Sequence, residues 1–264
     1  MNTTAREIKH QARLTLEGRY APAVSLTVSY SLFTYALNML LSISGLNTSS
    51  TSGLVLYIVL YIIIMLLGAL LETGLIRFLY FMCKRDYENN RAGLFYAFRA
   101  QPDTFIITIA VRYALMFVCF VPAIIVYLNT PVITDFSNIP SGFITGTALY
   151  AGLAVIGLIP ALYFMMRFAF SRYFLLDEPL ISAKEALRKS SDLMRGNYWK
   201  VLRLWISFIP FALLSLGSLG IGYFWVKPYY HTAMGQMYMA LTGRAAAQDA
   251  YDYGRQDYNG YYAG

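Results

Sequence analysis

Apolar and polar positions along this chain separate into long blocks. Crossing the ~30 Å hydrocarbon layer takes about 20 apolar residues of helix. Five runs meet that length: Pro22 to Leu46, Leu54 to Met82, Thr104 to Leu128, Phe143 to Leu175, and Trp199 to Leu216. A sixth, Tyr223 to Leu241, contains Lys227, Pro228, His231 and Gln236 but follows the turn-like stretch GSLGIG. The pattern predicts an all-α, polytopic membrane helix bundle with six transmembrane helices, or five if the last segment does not cross.

The polar blocks carry their own pattern. TAREIKHQARLTLEGRY from Thr4 to Tyr20 aligns without a gap on SAKEALRKSSDLMRGNY from Ser182 to Tyr198. Both read as a capping box, with Thr4 or Ser182 as N-cap and Glu7 or Glu185 three residues on, closed by Gly18 or Gly196. Each predicts a short amphipathic helix ahead of a span. Half of the offset between the copies lands on Gly93, which opens GLFYAFRAQPDTF, a further amphipathic stretch without the capping signature. The expectation is therefore a threefold repeat of interfacial helix plus hairpin, in units of about 1–88, 89–177 and 178–243. The membrane domain ends near residue 243, and 244–264 reads as a disordered, Tyr-rich cytoplasmic tail.

In the second copy Leu180, Ala183, Leu187 and Met194 fall on one face, with Ala186 and Leu193 beside them. Lys184, Arg188, Lys189 and Arg195 fall elsewhere. Such a stripe suits a helix lying in the headgroup plane with its cations on anionic lipid. It suits equally a gasket packed on the ends of the spans.

Composition agrees with the membrane reading. The chain is 58% hydrophobic and 13% charged, against ~25% charged in soluble domains. Its first twenty residues carry six charges and no apolar core of a cleavable signal. The net charge of +7 resides in short loops on one side of the spans. That places those loops and both termini in the cytoplasm for six spans and makes Lys227 an isolated outer cation. Nucleic acid is not a needed partner. The two cysteines and two histidines form no disulfide or metal pattern, and no nucleotide loop, zinc helix or nucleophile elbow occurs. No cofactor is expected.

Ionisable residues inside spans are the remaining candidates for function. Glu72 and Arg112 lie about ten residues from the cytoplasmic ends of adjacent spans, so they are expected to pair. Arg77, Arg167 and Arg172 lie nearer the edge, within snorkelling reach. Glu72, Arg112, Arg167 and His231 form the candidate intramembrane polar network. It reads either as a cavity or gate, or as an ion pair that fixes helix register.

The stretch from Phe174 to Leu241 resembles a bacterial membrane family of unknown function, domain of unknown function 975. The resemblance rests on Asp177 and Pro179, Ala183 to Leu187, Ser190 or Ser191, Met194 and Gly196, Ser207 to Ile209, Gly220 to Gly222, Pro228 and Tyr229, and Tyr238. The N-terminal REIKHQARLTLEGRYAPAV is similar to the family's start. The resemblance implies a multi-pass protein of the bacterial cytoplasmic (inner) membrane and transfers no active site. The expected role is a non-enzymatic scaffold or accessory subunit that contacts the lipid bilayer, anionic lipids and a membrane protein partner. The alternative is a small-molecule or lipid transporter with a polar cavity near Glu72, Arg112 and His231.

Overall fold

A computed structural model of the chain describes residues 4–46, 50–86, 93–131 and 141–244. Every element among the described residues is a helix. In chain order these are α1 (Ala5–Leu16), α2 (Tyr20–Ser42), α3 (Thr51–Cys83), α4 (Tyr96–Arg99), α5 (Pro102–Asn129), α6 (Ser141–Arg167), α7 (Ser171–Asp177), α8 (Ala183–Met194), α9 (Tyr198–Ile206), α10 (Ile209–Gly217) and α11 (Tyr223–Leu241). Five stretches are long and apolar enough to cross a membrane: α2, α3, α5, α6 through α7, and α9 through α10. The sixth expected span, α11, is not among them.

The two capped helices form where their local chemistry dictates. Thr4 Oγ1 accepts from the Glu7 amide at 3.3 Å, and Ser182 Oγ accepts from the Glu185 amide at 3.3 Å. Each satisfies one of the orphan donors of a helix start. The chain then turns at Gly18 and Gly196, with φ of 71° and 81°, a region glycine enters without steric cost. Among the described residues the middle unit has the single-turn α4 at the corresponding place. The segment after Arg244, expected to be a disordered tail, lies outside the described residues.

Packing divides the molecule into two layers. At one end, here the base, lie α1, α7, α8, most of α9 and α11, together with the second half of α3 from Gly68. Tyr80, Phe170, Met194, Leu204, Met237 and Tyr238 are each essentially buried there. Gly74 lets the chain at Leu94 press directly against α3, since a Cβ at Gly74 would overlap the Leu94 backbone. Beyond the base, Leu54 to Ile63 of α3, Phe117 to Leu128 of α5 and Ile144 to Ile159 of α6 are studded with exposed apolar side chains, although α5 and α6 approach closely at Gly157 and Cys119.

α1 and α8 both belong to the base. Ile8, Ala12 and Leu16 bury the inner face of α1, which runs alongside α11: Tyr229 donates to the Lys9 carbonyl at 3.2 Å and Gln236 to Thr15 Oγ1 at 2.9 Å. The inner face of α8 is Ala183, Ala186, Ser190, Ser191 and Met194. Leu180, expected on that face, is instead 92% exposed in the preceding turn. Ser190 docks α8 onto the break between α6 and α7, accepting from the Phe170 amide (3.2 Å) and donating to the Arg167 carbonyl (3.0 Å). Two backbone groups freed by the break are thereby satisfied.

Three hairpins rise from the base: α2–α3, α5–α6, and α9–α10 with α11. They differ in height. Glu72 of α3 meets Lys227 of α11 (3.1 Å), and Lys227 stands over the ring of Tyr30 in α2 at 4.0 Å, so these positions share a level. Above it, the 21 residues back to Thr51 of α3 rise about 31 Å, and the 17 from Arg112 to Asn129 of α5 about 25 Å, at ~1.5 Å per residue. α11 has only the 4 residues back to Tyr223, about 6 Å, before its turn. Pro210 begins α10 and divides the ascending limb at Ser207 and Phe208.

The surface of this third hairpin's turn is mostly apolar, and the hydroxyl of its exposed Ser218 is bonded within the turn. Leu214, Leu216, Leu219 and Ile221 are 69%, 74%, 94% and 60% exposed. Its backbone is nonetheless self-sufficient: every N–H from Ser218 to Val226 donates within the hairpin, that of Gly222 to Ser218 Oγ at 2.8 Å.

Candidate functional site

Two charged clusters tie the base together. The first centres on Asp177, at the end of α7, whose side chain is 2% exposed. Its carboxylate accepts from Tyr80 of α3 at 2.8 Å, from Tyr238 of α11 at 2.8 Å and from Lys84 at 2.8 Å, and it pairs with Arg244. Arg244 also donates to the Tyr238 hydroxyl at 2.7 Å. Two cations and two phenols around one buried carboxylate satisfy nearly all its lone pairs, the condition under which a buried charge is tolerated. The cluster joins the base ends of α3, α7 and α11. Next to it Glu178 pairs with Lys189 of α8, and this hydrogen bond holds the Lys189 ammonium above its ordinary pKa range.

The second cluster centres on Glu72. Its Oε2 accepts from Arg172 Nη1 of α7 at 2.9 Å, while its Oε1 lies 3.1 Å from Lys227 Nζ and 3.6 Å from His231 Nε2 of α11. Tyr173 of α7 donates to the His231 carbonyl at 3.1 Å. Again α3, α7 and α11 are the helices joined, here one level higher.

Arg112 is placed otherwise than its spacing suggested. It does not pair with Glu72. It lines a shallow cleft, open on one side, together with Ala69, Thr108, Tyr113, Ser171 and Arg172. Arg172 takes the expected place at Glu72 because the break after Arg167 carries α7 across the face of α3. Nor is Arg172 a snorkelling residue, its side chain being 13% exposed. Lys227, expected to be an isolated outer cation, is 8% exposed against Glu72. Arg77 packs between the rings of Phe81 and Tyr96, 4.5 and 4.0 Å from their centroids.

Arg167 stands apart from the Glu72 cluster, with Nε donating to Ser191 of α8 at 2.8 Å and Nη1 to Tyr163 at 3.2 Å. On α8, Arg188 and Arg195 face outward beside Asp192, at 3.9 and 3.6 Å, and Lys184 is exposed. Of the four residues expected to form one intramembrane network, the structure brings together Glu72 and His231, sets Arg112 beside them and places Arg167 elsewhere.

A family described as Protein of unknown function (DUF975) matches residues 1–245. The chain belongs to the DUF975 family. No curated protein and no solved structure matches it. Within this DUF975 chain the structure adds participants that sequence reasoning did not place in a network: Arg172 and Lys227 at Glu72, and Asp177 with Tyr80, Lys84, Tyr238 and Arg244. Asp177 was visible as half of the Asp-x-Pro pattern, and the lone acid Glu72 amid several intramembrane cations was a signal that more than one of them would share it. Among the described residues no group of three His, Cys, Asp or Glu is arranged to hold a metal.

Proposed function

We propose that this protein is a non-enzymatic scaffold or accessory subunit of the bacterial cytoplasmic membrane, with both termini on the cytoplasmic side. The observation that carries the reading is the use to which its charged groups are put. Asp177 and Glu72 both tie α3, α7 and α11 together, while α8 turns Lys184, Arg188 and Arg195 outward beside the base. A rigid base with a basic outer helix suits contact with anionic lipid and with a membrane protein partner. The excess of cations in the base-side segments supports a cytoplasmic base.

In this reading the first two hairpins cross the bilayer and the third is re-entrant. Rises of about 31 and 25 Å match the ~30 Å hydrocarbon layer, whereas about 6 Å of α11 above Lys227 does not. An apolar tip belongs in hydrocarbon, and irregular backbone survives there only when its hydrogen bonds are met internally. The transporter reading has less support, since Glu72 and His231 are engaged in packing and Arg112 alone of the three lines the cleft.

Affinity purification from native membranes tests the scaffold. The wild type is expected to retain a stoichiometric membrane protein partner, which the triple variant Lys184→Glu, Arg188→Glu, Arg195→Glu loses while keeping its melting temperature. Retention of the same partner by the triple variant, or of none by the wild type, counts against it.

A further inference from the structure

The cleft beside Arg112 is where the base holds charge that it does not neutralise. Glu72 is already shared by Arg172 and Lys227. Arg112 lies within electrostatic reach of Arg172 and Glu72, yet has no hydrogen bond and no ion pair among the described residues. Three cationic side chains therefore meet one carboxylate. An arginine left so within a membrane helix costs at least a few kcal/mol unless an anion or water reaches it.

The lining of the cleft specifies what it would accept. The hydroxyls of Thr108 and Ser171 already donate to the carbonyls of Thr104 and Phe168, each at 2.9 Å. The donors left for an incoming group are the Arg112 guanidinium, the free edge of Arg172 and the Tyr113 hydroxyl. Among the described residues no acidic one lines the cleft. A guanidinium fork matches the paired oxygens of a phosphate. The height is also apt, because about 25 Å of α5 above Arg112 nearly spans the hydrocarbon, leaving Arg112 near the phosphates of the base-side leaflet.

We propose that this cleft binds the phosphate of an anionic phospholipid, with Arg112 as the principal contact, Arg172 behind it, and the acyl chains along the exposed faces of α3 and α5. The proposal rests on the lipid-contacting reading above and names the lipid chemistry and the residue that recognises it.

The full chain in phosphatidylcholine nanodiscs doped with spin-labelled phosphatidylglycerol provides the test, with the immobilised label counted per protein. The wild type is expected to immobilise one label. Arg112→Gln should weaken binding tenfold or more, Arg112→Lys several-fold, and Lys200→Gln, at an exposed position outside the cleft, not at all. Arg112→Gln breaks no ion pair and should melt with the wild type, which separates lost binding from lost fold.

Absence of an immobilised lipid in the wild type, or equal binding by Arg112→Gln, overturns the proposal. Equal loss in Lys200→Gln would mean diffuse surface attraction and overturns it as well. Displacement of the label by millimolar inorganic phosphate would identify free phosphate as the ligand and remove the lipid. These outcomes are independent of partner capture, so the scaffold and the lipid site fail separately.

Discussion

The first and third hairpins begin alike and end differently. Each follows a capped amphipathic helix of 12 residues that stops at a left-handed glycine. The first rises about 31 Å above Glu72 on α3, and the sequence joining its two helices is polar, ISGLNTSSTSG. The third has limbs of 20 residues through α9 and α10 and 19 in the more polar α11, and turns on Leu216, Leu219 and Ile221 far closer to the base. In the re-entrant reading proposed above, length is a poor guide to crossing. What fixes the height of a hairpin is where its charges are pinned, and Lys227 and His231 pin α11 to Glu72 near the turn.

The comparison extends to energetics, since the third hairpin is anchored in the base while the first two rise out of it. The largest expected effect comes from breaking the anchor. Asp177→Ala leaves Lys84 and Arg244 without their shared carboxylate and two phenols without their acceptor, which should destabilise the fold by about 3 to 5 kcal/mol. Ile156→Ala, at a position 63% exposed on the part of α6 beyond the base, should change stability by no more than ~0.5 kcal/mol. Thermal melting of both variants in one detergent checks the contrast, and similar shifts would erase the distinction between base and hairpins.

A smaller effect is expected where α8 meets the helix break. Ser190→Ala removes the acceptor for the Phe170 amide and the donor to the Arg167 carbonyl, costing about 1 to 3 kcal/mol. Faster backbone hydrogen exchange confined to residues 167 to 171 would locate the loss at that joint. Exchange raised evenly along α8 would mean that its apolar face, and not Ser190, holds it in place.

The parts of this architecture that were legible in the sequence are those set by neighbours along the chain. Thr4 with Glu7 and Ser182 with Glu185 lie three residues apart, so their caps and the helices that follow could be read directly. The five apolar stretches were legible for the same reason, with ends displaced by a few residues. The pairing of Glu72 was not, because it depends on which helices flank α3. Equal depth made Arg112 the natural partner, but the break after Arg167 delivers Arg172, and the low third hairpin delivers Lys227.

Arg112 was therefore singled out for the wrong partner and is of interest for having none among the described residues. For α8, the stripe fitted two environments equally. Tertiary contact at Ser190 and Met194 favours the gasket, a choice that no periodicity contains.

Cysteine accessibility tests the re-entrant hairpin most directly. On a background lacking Cys83 and Cys119, single cysteines replace Ser50 and Leu219, and an impermeant maleimide is applied to either face of sealed membranes. Leu219 is 94% exposed, so none of the described residues shields it. The account predicts that Ser50→Cys reacts from the outer face only, and that Leu219→Cys reacts from neither face until detergent is added. Labelling of Leu219→Cys from the same face as Ser50→Cys would mean that the third hairpin crosses, and would contradict it.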